Sequence, residues 1–370
     1  MIRVGIVGCG RIVLTGHATA LAATPGVEVV AVADPSPVQR DAVADRLGVP
    51  AAGRFGDAAA LLAAGGIDIV DVAVPHAHHV AVVLAALDAG IPVLSEKPLG
   101  ATVDEIDAMA AAADRAGVRL AVCHNRLYDP PFAAAIDAVR AGRIGRPFAV
   151  RLESLNGGWW VGAGGYDPSW RTRKAVSRGG CLLDNGYHSV YLAEALAGSP
   201  IVEVYARTST AAYAIEVDDT AFVLATHASG ATTSLQVAWS AAGEGTAVHE
   251  VYGDRGTIAL GRAGTLWSMF TAEPGMAGGG GAWTAPPVAP SDGWGFTGLF
   301  AATLPALAAG RAVPAGVAEG RRVVEVVDAC YRSSAAGRPI PVAPAPDAEP
   351  EPAPDRDARN DALAPGSQAA

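Results

Sequence analysis

The sequence predicts two domains of different class. An N-terminal α/β domain is built on a doubly wound parallel sheet, and a C-terminal α+β domain carries a large open antiparallel sheet. Three observations lead there. Over residues 1–124, short β-branched runs alternate with Ala-rich stretches of helix length. After Asn125 the rhythm changes to successive extended runs separated by turn signals. From residue 341 the composition turns to Pro, Ala and acid, which cannot bury enough apolar surface to order itself. The expected division is therefore 1–124, 125–340 and a disordered tail at 341–370. At roughly 100–200 residues per domain the body is long enough for two cores.

In the first domain apolar runs fall at 4–7, 27–33, 67–74, 93–94 and 118–122, with a weaker one at Arg54-Phe55. They lack polar alternation, so helices are expected to cover both faces of the sheet. The intervening stretches 15–23, 37–47, 57–64, 79–89 and 102–116 supply those helices. Strands separated by helices pair in parallel. Asp104 and Glu105 sit in the first turn of the last helix, where acids suit its dipole, and Gly117 stops it after Arg115.

The second domain opens with a helix at 130–141, stopped by Gly142, and a strand at 147–155. A Gly/Trp-rich segment follows, then a helix from about 184 to 196. Four extended runs come next, at 202–207, 220–227, 232–239 and 248–260. Turn signals lie at Ser229-Gly230, Gly243-Glu244-Gly245 and Gly253-Asp254-Arg255-Gly256. Strands joined by short turns pair antiparallel. The Gly/Pro-rich stretch 273–291 is expected to be a long mobile loop, and helices at 293–309 and 317–336 close the domain.

Charge narrows the partners. The chain has 27 basic and 37 acidic side chains, a net charge of −10, and the last thirty residues, with six acids and two arginines, account for −4 of it. An acidic chain without a basic cluster is a poor match for phosphate backbones, so no nucleic-acid partner is expected. Charged residues or glycine interrupt every apolar run short of the ~20 residues a membrane helix needs, so no membrane span is expected either. The N-terminus runs straight into a strand with no signal-peptide pattern. Cys9, Cys123, Cys181 and Cys330 lie far apart with no C-x-x-C pair. Reduced thiols in a cytoplasm fit that spacing better than a disulfide frame or zinc site, and no metal is expected.

The first strand runs into Gly8-Cys9-Gly10-Arg11-Ile12-Val13 and then a helix. Gly8 permits a tight turn, and Gly10 lets backbone N–H groups approach a pyrophosphate at the helix N-terminus, beside Arg11 and Ile12. Val13 replaces the third glycine of the usual fingerprint, and alone this G-x-G-x-x-V variant is compatible with a bare strand–helix turn. Context favours a nucleotide. The next apolar strand ends at Asp34, 24 residues after Gly10, where an acid would bind the adenosine ribose hydroxyls. A Rossmann dinucleotide site results. Asp34 favours NAD, because a carboxylate repels the 2′-phosphate of NADP; Arg40, about a helical turn further on, leaves NADP possible.

Only two of the 27 basic residues are lysines, Lys97 and Lys174. Lys97 follows an apolar strand in Glu96-Lys97-Pro98, at the carboxyl end of a parallel strand, where open α/β sheets bind ligands. Its ammonium can donate to a substrate hydroxyl and also carry a proton in and out, a role a permanently charged guanidinium cannot share. An exposed lysine paired with Glu96 is the competing account. Asp184 and His188 are spaced i, i+4, so on a helix they share a face. A carboxylate beside an imidazole raises its basicity and fixes its tautomer, which would make His188 a general base; a structural pair capping the helix is the alternative. Val74-Pro75-His76-Ala77-His78-His79 has no Cys, Asp or Glu companions and reads as a loop lining a nicotinamide, with His79 starting the next helix.

In this order the residues resemble the glucose–fructose oxidoreductase, inositol dehydrogenase and rhizopine-catabolism (Gfo/Idh/MocA) oxidoreductases, over roughly residues 2–342. The carriers are Gly8-x-Gly10, Asp34, Val74-Pro75 with His79, Glu96-Lys97-Pro98, Asn125-Arg126 before Asp129-Pro130, Trp170-Arg171, and Asp184-x-Gly186-x-His188. The resemblance implies hydride transfer on a polyol, sugar or cyclitol, and homo-oligomerisation (dimer or tetramer) through the open sheet. It implies a catalytic trio of Lys97, Asp184 and His188. Val74, Pro75, His79, Glu96, Lys97 and Asn125 would then adjoin the cofactor, and Arg126, Trp170, Arg171 and Tyr187 the substrate. Three positions depart from the family pattern. Val13 stands where a small residue is usual, Cys181 where a third glycine often stands, and Tyr191 where many relatives carry an acid. Trp159-Trp160 and Tyr166 could stack on a pyranose or pack in an oligomer interface. Two other functions share such a fold. One is an NAD-retaining enzyme that oxidises transiently to cleave a glycoside or epimerise a centre; the other is a non-catalytic nucleotide-binding subunit, against which the trio argues.

Overall fold

Six apolar runs form strands β1 (Ile2–Val7), β2 (Val27–Ala33), β3 (Arg54–Phe55), β4 (Ile69–Val72), β5 (Val93–Ser95) and β6 (Leu120–Val122). The computed structural model describes residues 1–157, 169–242, 245–272, 280–289 and 294–343. Expectations about Trp159, Trp160, Tyr166, the 243–244 turn and the tail beyond 343 lie outside those residues. The strands pair in parallel in the order β3-β2-β1-β4-β5-β6, so the winding reverses direction between β1 and β4. Between them run α1 (Ala18–Ala23), α2 (Pro37–Leu47), α3 (Ala58–Ala64), α4 (His76–Asp88) and α5 (Val103–Ala116). Successive strand residues point to opposite faces, so each run supplies two cores. Val4, Ile6, Val32, Ile69 and Leu94 pack with residues of α1 and α2. Val7, Ala33, Val70, Val72, Val93 and Val122 pack with Leu61, Val83, Ile106 and Met109 of α3, α4 and α5.

The chain continues through α6 (Pro130–Arg140), β7 (Pro147–Leu155), α7 (Lys174–Ser177) and α8 (Tyr187–Ala197). Then come β8 (Ile201–Ser209), β9 (Thr220–His227), β10 (Thr232–Ala238), β11 (Thr246–Gly253), β12 (Gly256–Leu260), β13 (Trp267–Ala272) and β14 (Gly281–Thr284). Two helices, α9 (Phe296–Ala308) and α10 (Val317–Ala336), and the short β15 (Ile340–Pro341) finish the described chain. The nine strands order β14-β13-β12-β11-β7-β10-β9-β8-β15.

Four expectations need correction. The large sheet is mixed: β7 and β10 run parallel, Ala149 beside Thr232, and the other pairs are antiparallel. The chain between those two strands includes α7 and α8, long enough for the crossover a parallel neighbour requires. The expected loop at 273–291 contains β14, which pairs with β13 although all four of its residues are exposed, so no apolar alternation marked it. Helix α4 starts at His76, three residues before the expected His79. Helix α9, assigned by chain order to the second domain, packs on the first: Phe296, Leu299, Phe300, Leu304 and Leu307 join Val4, Ile6 and Leu21 in one core. Gly16 admits this contact, since a Cβ there would stand 2.7 Å from the Phe296 ring.

Candidate active site

The carboxyl ends of the parallel strands converge at the reversal of winding, where open sheets form a ligand crevice. Gly8 follows β1 with φ +95°, and a Cβ on it would lie 2.4 Å from the Ala73 carbonyl oxygen after β4. Only glycine allows this approach. Arg11 and Ile12 open the next helix, which winds into a π-turn, Val13–His17, with Val13 in the core. Asp34, after β2, accepts hydrogen bonds from the backbone N–H of Cys9 and of Ser36, both at 2.8 Å. A carboxylate has further lone pairs to offer, so it remains able to accept from ribose hydroxyls. Arg40 is engaged by Asp41 at 2.9 Å.

Beneath this crevice lies a buried ion cluster that the sequence reading missed. His17 is fully buried, with Nδ1 2.8 Å from Asp71 Oδ2 and Nε2 3.0 Å from Glu96 Oε1. Burial alone would lower its pKa; the two carboxylates reverse that and raise it to about 10. Glu96 accepts from the Lys97 backbone N–H at 2.8 Å through its other oxygen. Cys123 adjoins His17 and Glu96, but both histidine nitrogens already face carboxylates, so the cluster is an ion triad and not an open ligand set. The signal was present in Asp71, a charge inside a run apolar on both faces, which cannot be buried unpaired.

Lys97 and Asp184 meet across the two sheets. The Lys97 ammonium donates to Asp184 Oδ1 at 2.6 Å and to its backbone carbonyl at 2.8 Å, and Arg171 Nε donates to Oδ2 at 3.0 Å. Burial would raise the Asp184 pKa; Lys97 and Arg171 outweigh it and hold the carboxyl well below the ordinary range. The Arg171 guanidinium lies 4.3 Å over the Trp170 ring, which His76 meets edge-on. The expected Asp184–His188 pairing does not form. Leu182–Gly186 is wound as a π-turn, and two cations hold both carboxylate oxygens. His188 turns instead to Tyr191, with Nδ1 2.7 Å from the phenol oxygen. Burial lowers the His188 pKa well below its usual value, Lys97 and Arg126 push the same way, and Asp184 opposes them. The imidazole is neutral near pH 7.

The segment carrying Asp184 is itself anchored. Asp218 accepts from the N–H of Gly180 and of Leu182 and from the Tyr331 hydroxyl, and a Cβ on Gly180 would sit 2.0 Å from the Asp218 carbonyl. Trp239, fully buried, donates to Asn185 at 2.8 Å.

Other sequence-selected residues are spread around this centre. Val74 and Pro75 are half-buried on the loop entering α4. His79 is buried, its nitrogens 2.8 Å from the Val74 and Pro98 carbonyls, so it clamps the two loops together. Asn125 is buried and donates to the Trp294 carbonyl at 2.7 Å, while Arg126 lies 4.8 Å over the Trp294 ring. Tyr187, expected beside substrate, is fully buried in the core, its hydroxyl 3.1 Å from His124 Nε2. His124 and Trp294 went unremarked in the sequence because neither belongs to a local pattern.

Residues 2–124 match the model of an oxidoreductase family with an NAD-binding Rossmann fold, and residues 132–259 match the GFO/IDH/MocA C-terminal domain. The D-apiose dehydrogenase of Paraburkholderia graminis is 32% identical over 235 residues, 64% of this chain and 60% of that protein's length. The chain thus spans less than two thirds of this relative. The levoglucosan dehydrogenase of Pseudarthrobacter phenanthrenivorans is 27% identical across 90% of this chain and 96% of its own. Among solved structures, GenD2 from gentamicin A biosynthesis, in complex with NAD, superposes with a TM-score of 0.76 at 28% identity, covering 92% of this chain and 96% of that one.

Proposed function

The chain belongs to the GFO/IDH/MocA family of oxidoreductases, and on that premise we propose that it is an NAD-dependent dehydrogenase or reductase acting on a sugar, cyclitol or sugar-derived compound. The reacting centre would be a secondary hydroxyl or the corresponding ketone. The single observation that carries this is the Lys97–Asp184–Arg171 cluster at the carboxyl edge of the parallel sheet, with His188 beside it. The residues present fit NAD: a glycine turn whose φ only glycine holds readily, a helix opening behind it, and Asp34 at the end of β2. Gly8, Gly10, Arg11 and Ile12 would hold the pyrophosphate and Asp34 the ribose. Arg40, held by Asp41, is poorly disposed to take a 2′-phosphate, which favours NAD over NADP.

When bound, NAD supplies the acceptor or donor of the hydride. Lys97 and His188 are the groups that meet the substrate oxygen, and Asp184 holds the Lys97 ammonium in place. Positioned acid–base groups of this kind contribute roughly 10²–10⁴-fold. Arg126, beside Trp294, and the Trp170–Arg171 pair would line the substrate side.

The four cysteines are buried free thiols, which favours a reducing compartment and a cytoplasmic enzyme. Among the described residues no helix is long and apolar enough to cross a membrane. The open face of the large sheet exposes Tyr205, Phe222 and Leu224, with Tyr205 and Leu224 directly opposite across β8 and β9. An apolar patch of this kind suits contact with a second copy of the chain.

The test pairs binding with turnover. NAD, then polyols and inositols, are screened by thermal shift, and the best are used in single-turnover NAD reduction with wild type, Lys97→Ala and His188→Ala. Both variants should lose about 10²-fold or more in rate. Near-wild-type rates in both would refute the assignment.

A further inference from the structure

His188 is neutral, so its chemistry depends on which nitrogen holds the proton, and hydrogen-bond partners decide that. Among the described residues its Nδ1 faces only the Tyr191 hydroxyl, at 2.7 Å. Among those residues the phenol oxygen has one other partner, the Arg126 backbone N–H at 3.3 Å, which can only donate to it. Among the described residues the phenol proton therefore has a single acceptor, His188 Nδ1. Tyr191 is only 6% exposed. Its ring is fixed by His124, stacked at 4.3 Å and 19°, and by the edge of Tyr187. The reverse assignment, with Nδ1–H donating to the phenol, would leave a buried hydroxyl proton without an acceptor, a costly arrangement.

We infer that Tyr191 holds His188 as the Nε2–H tautomer, so that the site offers the substrate oxygen a hydrogen-bond donor and not a base. This rests on the dehydrogenase reading above and divides the labour within it. The charged and titratable groups facing the ring are Lys97, Arg126, Asp184 and His124. Lys97 and Arg126 disfavour a second proton on it, and Asp184, its charge committed to Lys97 and Arg171, does not supply a compensating partner. The oxygen thus meets two donors, the Lys97 ammonium and His188 Nε2–H, the complement of a carbonyl or an alkoxide. In ketone reduction a bound reduced nicotinamide would supply the hydride pair to the carbonyl carbon, and the chain's own residues supply the proton. The oxygen takes its proton from the Lys97 ammonium, which is left as an amine and is reprotonated by solvent. His188 donates throughout without titrating. The substrate class this arrangement favours is a ketone of a sugar or cyclitol. Tyr191 acts through His188 and is a positioning residue.

The test reads the tautomer directly. The full-length protein, labelled with ¹⁵N in histidine, is examined by long-range ¹H–¹⁵N correlation, with His188→Gln identifying the resonances. Wild type should show His188 with an unprotonated Nδ1 and a protonated Nε2, unchanged between pH 9 and pH 6. Tyr191→Phe, which removes only the hydroxyl, should give a tautomer mixture. Tyr191→Glu, which supplies an acceptor, should switch the ring to Nδ1–H. A wild-type ring protonated at Nδ1, or a Tyr191→Phe spectrum identical to wild type, overturns the inference. Should Tyr191→Phe fail to fold, the wild-type spectrum alone decides. Turnover is scored separately: absence of any hydride transfer with an intact Nε2–H spectrum defeats the dehydrogenase reading and leaves the tautomer standing.

Discussion

Asp184 shows how one side chain can be claimed by the strongest partners within reach. Its two oxygens serve Lys97 at 2.6 Å and Arg171 at 3.0 Å, and all three side chains are at most 15% exposed. Removing the charge of one member of a buried ion group leaves the others uncompensated, at a cost of roughly 3–5 kcal/mol. Asp184→Asn is therefore expected to lose about 3 kcal/mol of unfolding free energy in urea, as well as activity. An unchanged midpoint would show that the two cations are solvated after all. The pH dependence has a definite sign. The folded pKa is depressed, so the contribution is present above the ordinary carboxylate value and is lost as pH falls below about 4 toward the folded value. In the Asn variant the acid limb should be shallower.

At the scale of elements, the helices that carry His17 and His188 each wind through a π-turn near their start, Val13–His17 and Leu182–Gly186. Such turns are frequent at functional sites, since the extra residue re-aims side chains that an α-helix would point elsewhere. The first turn aims His17 between Asp71 of β4 and Glu96 after β5, binding three elements into one support below Lys97. Here the linkage runs the other way. The folded pKa is raised to about 10, so His17 contributes fully below its unfolded value of about 6.5. The contribution is lost as pH rises from there toward 10, by at most about 1.4 kcal/mol per pH unit. Denaturation midpoints measured from pH 7 to pH 10 should fall in wild type, and this slope should disappear in His17→Gln. A flat wild-type profile would mean that the imidazole is buried neutral.

Among the described residues two cores hold the molecule, one on each side of the parallel sheet. The first continues through α10 and α8 into the large sheet, so Lys97 and Asp184 are fixed relative to each other by packing and not by a single loop. The second is closed by α9, returning from the end of the chain. Among the described residues the outer face of the large sheet leaves Tyr205, Phe222 and Leu224 exposed. If that face joins copies of the chain, Phe222→Lys combined with Leu224→Lys should shift the sedimentation coefficient to that of the monomer without loss of helix signal. Sedimentation identical to wild type would place any interface elsewhere.

Local patterns made much of this legible. The strand runs, the glycine turn, Asp34 and the alternation of elements are short-range features, so the parallel sheet and the strand-end position of Lys97 could be read directly. Strands such as β14, exposed on every residue, exist only because a neighbour pairs with them, and no periodicity records that. The sequence reading paired His188 with Asp184, four residues before; Tyr191, three residues after, stands at helical spacing as well. Spacing could not choose between them. The choice was made by Lys97 and Arg171, 87 and 13 residues from Asp184, which captured the carboxylate and left the imidazole to the phenol. Sequence by itself determined most of the elements and which polar side chains stand at their ends. Which of those side chains pair was decided by tertiary structure, because Coulomb attraction and desolvation act between neighbours in space, wherever they lie along the chain.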